Sequence, residues 1–154
     1  MSAKLLRDPV CFLALGGGSG LAPRAPGTFG TLPAVPLVLW LQTVPVEVYA
    51  VVVAVMAAAG VPLCAVAEKK LNRRDHPAIV WDEITGFTAA MLFAPAGLAW
   101  LAAGFVLFRA VDIFKPWPIN VVNAKMHGGA GIMADDLLAA AVTGVVLFAA
   151  GAGW

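Results

Sequence analysis

At 154 residues, with 61% hydrophobic and only 12% charged side chains and a formal net charge of +1, the chain has the composition of a membrane protein. A soluble domain carries about a quarter charged residues, so the deficit means that most of the surface does not face water. No basic stripe interleaved with aromatics is visible, which argues against a nucleic-acid partner, and the length fits one domain over residues 1–154.

Lys4 and Arg7 precede a short apolar stretch, Val10 to Leu15. It is below the usual length of a signal-peptide core and lacks a small-residue cleavage pattern, so the N-terminus is expected to stay in place. Cys11 and Cys64 both lie in or beside apolar sequence and read as reduced packing residues rather than a disulfide. From Gly16 to Gly30 the sequence GGGSGLAPRAPGTFG is too rich in Gly and Pro for a regular helix. Such loops turn backbone N–H groups toward phosphates at helix starts, although this one lacks the Gly-Lys-Ser/Thr ending of a phosphate loop. Thr28 and Thr31 are expected to cap the apolar segment that begins there.

Thr31 to Val44 is uncharged but too short to cross a bilayer comfortably, and Pro45 and Glu47 mark a turn. Val48 to Ala67 supplies about 20 residues without a charge, enough to span, with a kink expected at Gly60 and Pro62. The loop from Glu68 to Glu83 holds four of the ten basic residues and by the positive-inside tendency is cytoplasmic. At its end Asp82 and Glu83 precede another apolar run, in the position of a helix start. A capping role for this pair is the plain alternative to a functional one. His76 reads as a solvated loop residue. Ile84 to Phe108 is again uncharged, interrupted by Pro95 and Gly97. One crossing would put Asp82 and Glu83 on the opposite face from the next charges. A break at Pro95 into two short helices brings them together, and the lack of charge at Pro95 favours this hairpin. By the same logic Thr31 to Ala67 forms an earlier hairpin with its tip near Pro45.

Arg109, Asp112 and Lys115 recur at spacings of three and share one helix face, and Pro116 and Pro118 end that helix. Asp135 and Asp136 open the apolar run Leu137 to Trp154 and so are expected near a helix N-terminus, where unpaired N–H groups favour ionised carboxylates. An intrahelical Arg109–Asp112 pair and a simple cap at the double Asp are the structural alternatives. The terminal Trp suits a bilayer interface.

On the one-face arrangement Asp82, Glu83, Asp112, Asp135 and Asp136 gather with Arg24, Arg109 and Lys115. Five carboxylates so close imply raised pKa values or a bound hard cation, for which Mg²⁺ is the natural candidate. The basic groups then act as anion clamps, and together they describe a phosphate on a divalent metal. No cysteine-phosphatase loop and no Asp-x-Asp pair is present, so metal-activated water, rather than a covalent route, is the expected chemistry. At a membrane boundary the natural substrate is a lipid ending in a phosphate.

Four blocks, GSGLAPRAPGTFGT (Gly18 to Thr31), DHPAIVWDEITG (Asp75 to Gly86), FRAVDIFKPWPI (Phe108 to Ile119) and GGAGIMADDLLA (Gly128 to Ala139), strongly resemble in order the blocks of the phosphatidylglycerophosphatase A family. The resemblance implies an all-α fold in the bacterial inner membrane, which agrees with the small membrane bundle of short helical hairpins and polar cytoplasmic rim read above from the residues. It implies a Mg²⁺-dependent enzyme that converts phosphatidylglycerophosphate to phosphatidylglycerol. Carried over by block, Asp82, Glu83, Asp112 and Asp136 look catalytic, and Asp82, Glu83, Asp135 and Asp136 look like metal ligands. Arg24, Gly27, Thr28, Arg109 and Lys115 look like substrate contacts. Members commonly have Ser where this chain has Thr31, which keeps the hydroxyl. A small cation transporter is the alternative, disfavoured because charges fall in the loops rather than the spans. The Asp-Gly and Ala-Arg signature of the alcohol phosphotransferases is not found.

Overall fold

A computed structural model describes residues 4–152. Within them there is no strand; eight α-helices and two short 3-10 segments account for the regular structure. The helices are α1 (Pro9–Ala14), α2 (Pro26–Thr31), α3 (Ala34–Leu41), α4 (Val46–Lys70), α5 (Trp81–Ala90), α6 (Leu98–Phe114), α7 (Ile119–Lys125) and α8 (Gly128–Gly151). The expected all-helical class is therefore observed. The interface role expected for Trp154 falls outside the described residues.

α1 starts where it does because the Asp8 side chain accepts from the backbone N–H groups of Val10 (3.0 Å) and Cys11 (3.1 Å), with Pro9 as first helical residue. Asp8 also pairs with Lys70, tying α1 to the end of α4. Cys11 and Cys64 are buried free thiols, as expected.

α3 stops at Leu41 and α4 begins at Val46, so the predicted turn at Pro45 is present. α4 is longer at both ends than the uncharged stretch that announces it and runs unbroken through Pro62. Gly60 makes room for Met133: a methyl group there would sit 2.5 Å from its sulfur. The stretch from Ile84 to Phe108 does not cross as one helix. α5 ends at Ala90, Pro95 bars continuation, Gly97 takes φ 128, and α6 starts at Leu98. Phe87 locks the hairpin, its ring 5.4 Å from that of Phe105 and 6.1 Å from that of Phe108. Tyr49 Oη donates to the Thr88 carbonyl (2.7 Å) and binds the α4 hairpin to the α5 hairpin. The two turns meet at one end of the molecule, where Leu41, Val44 and Tyr49 share a cavity with Met91 and Ala94. The charged ends of α4, α5 and α6 lie at the other.

α8 packs against α4, α5, α6 and α7. Here two sequence expectations are corrected. The helix begins at Gly128, so Asp135 and Asp136 lie two turns inside it and no acidic residue occupies its first turn. A run of four residues with three glycines reads as a loop, yet α8 needs them small to approach α4. At Gly129 a Cβ would run into the Val61 carbonyl oxygen and lie 2.8 Å from the Ala65 nitrogen. Gly129→Ala is therefore expected to prise α8 from α4 and lose about 3 kcal/mol, lowering the melting temperature in detergent by about 10 °C. A melting temperature within 2 °C of wild type would show that the two backbones do not touch there. Secondly, Thr28 and Thr31 do not cap. Both lie inside α2, and the Thr31 hydroxyl donates back to the Gly27 carbonyl (2.7 Å), while α3 starts from Pro33 without a side-chain cap.

Candidate active site

The start of α5, the end of α6 and the second and third turns of α8 enclose a pocket of about 370 Å³, with α2 closing one side. Asp82 and Glu83 enter from the first turn of α5, Arg109 and Asp112 from the last turns of α6, Asp135 and Asp136 from α8, and Gly27 and Thr28 from α2. Lys115 comes from the residue after α6, held at φ 45 where Pro116 prevents further helix. Arg24 is the exception among the predicted residues: it is exposed and does not line the pocket, although Ala25 beside it does.

Asp82 and Glu83 do sit in the first turn of α5, as expected, but neither caps it by hydrogen bond, since α5 starts from Val80 with no side-chain cap. The intrahelical alternative for Arg109 is only half of what it does. Arg109 Nη1 donates to Asp112 Oδ2 (2.5 Å) within α6 and to Glu83 Oε1 (3.0 Å) across to α5. Its Nε is buried without a partner. Lys115 Nζ donates to Asp135 Oδ2 (3.0 Å) and stands 4.0 Å from Asp112 Oδ1. Two cations thus stitch carboxylates of three helices together. Gly27 permits the Arg109–Glu83 bridge to lie against α2, since a Cβ there would strike Glu83 Oε1 and come within 2.5 Å of Arg109 Nη2.

Charge is not balanced by these pairs. Asp82 Oδ1, Glu83 Oε2, Asp135 Oδ1 and Asp136 Oδ2 are buried with no hydrogen-bond partner. Burial pushes the Asp82 carboxyl well above the usual carboxylate range, and the neighbouring charges of Glu83 and Asp112 add to it. Burial likewise raises Glu83 to about 7, although the Arg109 guanidinium pulls the other way. A carboxylate bonded at 3.0 Å to arginine would ordinarily titrate low; here desolvation outweighs the ion pair, and the nearby Asp112 charge adds to it. Lys115 shows the converse: burial disfavours its charge, but the bond to Asp135 and the nearby Asp112 and Asp136 charges raise its pKa overall.

Two residues that the sequence left aside also line the pocket, Asp75 and His76. His76 Nδ1 accepts from the Ala78 N–H (3.1 Å), and burial lowers its pKa, aided by Arg73. Asp75 holds φ 46, a conformation rare for a residue with a side chain, and its N–H donates to Glu68 Oε1 (2.7 Å). The signal available in the sequence was their place just before Pro77, seven and six residues ahead of Asp82.

The family profile described as phosphatidylglycerophosphatase A matches residues 12–151, a span that contains every residue of this pocket. The chain belongs to the phosphatidylglycerophosphatase A family. It is 40% identical over 150 residues to the phosphatidylglycerophosphatase A of Escherichia coli K12, covering 97% of this chain and 87% of that protein. It is 39% identical over 146 residues to the Haemophilus influenzae phosphatidylglycerophosphatase A, covering 94% and 90%. No solved structure matches. The premise used against a cation transporter, that charges avoid the long apolar helices, does not hold in this family member, because Asp135 and Asp136 lie inside α8. Membership of the phosphatidylglycerophosphatase A family decides against that alternative instead.

Proposed function

We infer that the chain is a phosphatidylglycerophosphate phosphatase, a phosphoric monoester hydrolase that yields phosphatidylglycerol and phosphate in phospholipid biosynthesis. Its family carries the reaction, and the arrangement that supports it is a buried pocket in which Arg109 and Lys115 stand among carboxylates. A terminal phosphomonoester is a dianion that needs cationic donors in a site of low dielectric. Arg109 Nε is one such donor without a partner.

The same pocket supports Mg²⁺ as cofactor. Among the described residues no three of His, Cys, Asp and Glu converge as a ready-made metal site. The four partnerless carboxylate oxygens nevertheless form a hard, acidic donor set. Mg²⁺ commonly takes only one or two carboxylates and fills its sphere with water and substrate phosphate. Asp82, Glu83, Asp135 and Asp136 would hold it, and when bound it would neutralise phosphate charge and acidify water. Arg109 and Lys115 orient the phosphate. With no metal bound, burial holds a proton on Glu83 up to about pH 7, and Mg²⁺ arriving at its partnerless Oε2 would displace that proton.

A membrane setting fits two helices, α4 with 25 and α8 with 24 residues, that are long and apolar enough to cross a bilayer. Exposed Val51 and Val55 on α4, Val106 on α6, and Val145 and Phe148 on α8 fit contact with lipid. Lys69, Lys70, Arg73 and Arg74 at the pocket end support a cytoplasmic site in a multi-pass inner-membrane protein.

The deciding test is phosphate release from phosphatidylglycerophosphate by purified protein, with Mg²⁺ and with chelator. Release only with Mg²⁺ is expected; none from this lipid under either condition would sink the reading. A pH dependence arises from Glu83. Between its ordinary 4.5 and about 7 the native state holds a proton that the unfolded chain has lost, so metal-free stability falls as pH rises through that window. Metal must displace the proton, so apparent Mg²⁺ affinity is expected to drop about tenfold per unit below pH 7. Calorimetric titration between pH 6 and 8 reads this, and a flat profile would remove Glu83 from the ligand set.

A further inference from the structure

An apolar groove of about 570 Å³ runs between α5 and α8. Its course is set by two helical stripes. On α8, Ala140, Gly144 and Phe148 follow Asp136 in steps of four residues; on α5, Ala89 follows Asp82 at seven, and Phe93 stands in the turn just beyond the end of α5. Successive members are neighbours on the helix surface, and the α8 series winds outward from buried Asp136 to exposed Phe148, so the groove walls lead on from the walls that carry the pocket's carboxylates. Its floor is small, with Ala89, Ala140, Ala141 and Gly144, whereas Phe93 and Phe148 stand exposed toward its far end. Twelve residues from Asp136 to Phe148 rise about 18 Å, close to the ~15 Å half-thickness of a bilayer's hydrocarbon core.

We propose that this groove holds one acyl chain of the phosphorylated lipid while its terminal phosphate lies at Arg109 and Lys115. The inference rests on the lipid-phosphatase reading above. The occupant is set by continuity: a lipid whose phosphate enters the pocket must send its tails along one of the pocket's walls, and this one is apolar, concave and of leaflet length. A tail moving from bilayer to groove exchanges one apolar environment for another, so little affinity is gained. What the groove supplies is position. Seating the tail fixes the depth and orientation of the headgroup, and misplacement by an ångström lowers rate steeply.

Two arms test this. In detergent micelles at fixed lipid fraction, the ratio of kcat/KM for dipalmitoyl over dihexanoyl phosphatidylglycerophosphate is measured for Ala141→Phe, a substitution at an exposed position facing the groove. The ratio is expected to fall at least tenfold, with a smaller fall in Gly144→Ala, whose added methyl would lie 3.4 Å from the Ala90 carbonyl oxygen, an ordinary contact. Val55→Phe, on an exposed face of α4, is expected to leave the ratio as in wild type. An unchanged ratio in Ala141→Phe, or an equal fall in Val55→Phe, overturns the proposal. The second arm needs no catalysis. Phosphatidylglycerophosphate with a diazirine on one acyl chain, in phosphatidylethanolamine vesicles, is irradiated with the wild-type protein and the adducts are mapped. Labelling of α8 beyond Asp136 above that of α4, competed by unlabelled substrate lipid, supports the groove. Equal labelling, or a second copy of the chain crosslinked in its place, overturns it. Absence of phosphate release from any lipid would sink the enzyme reading, while the labelling arm still decides the groove.

Discussion

Replacing Arg109 with alanine is expected to reduce kcat by about 10²–10³-fold, the loss typical of one preorganised donor to a developing anion. It is also expected to destabilise the protein by about 3–5 kcal/mol, the range for breaking a buried pair and leaving its partner charged. Both effects come from one atom set. Arg109 Nη1 holds Glu83 Oε1 and Asp112 Oδ2, and the arginine side chain is only 12% exposed, so solvent cannot replace it. Without it, α5 and α6 lose their polar link at the pocket end and keep apolar packing such as the Phe87 contacts with Phe105 and Phe108.

Arg109→Lys separates the two effects. An ammonium group restores charge but not the fork that reaches two carboxylates and, on the proposed function, a phosphate as well. Most of the stability should return while kcat stays at least tenfold down. Thermal melts in detergent beside phosphate release read the two quantities. Wild-type kcat in the lysine variant would reduce the role of Arg109 to charge alone, and wild-type kcat in the alanine variant would remove it from the site.

How far this arrangement could be foreseen depends on whether local or tertiary forces decide each element. The break at Pro95 and Gly97 was legible because backbone chemistry forces it, and it brings Glu83 within reach of Arg109. The face shared by Arg109, Asp112 and Lys115 was legible from helical periodicity. The start of α8 was not, because glycine disfavours helix locally and only contact with α4 makes Gly129 necessary. That error displaced the N-terminus of α8 and gave Asp135 and Asp136 a helix-end stabilisation they do not have. The partner of Lys115 was also hidden: spacing points to Asp112, while the bond goes to Asp135, a contact made only in three dimensions. Asp75 and His76 join the pocket through the path of the loop, which no periodicity encodes.

Asp82→Asn is expected to abolish activity, at least 10³-fold, while leaving the metal-free protein as stable as wild type or more so. The reasoning starts from burial. Asp82 is 7% exposed, its Oδ1 has no partner, and its charge is opposed by desolvation and by Glu83 and Asp112. An isosteric amide removes the repulsion without opening a cavity, so relief of about 1 kcal/mol is the expected sign, as at active sites that hold function against stability. Binding should respond in the opposite sense. If the partnerless oxygens exist to receive a cation, Mg²⁺ raises the melting temperature of wild type and does so much less in Asp82→Asn. A purely structural Asp82 predicts the reverse pattern: a lower melting temperature, an unaltered Mg²⁺ response, and activity that falls only in proportion to the unfolded fraction. Measuring melting temperature with and without Mg²⁺, beside phosphate release, distinguishes the two. Retained activity in the asparagine variant would mean that the carboxylates gathered by α5, α6 and α8 do not include Asp82 in their chemistry.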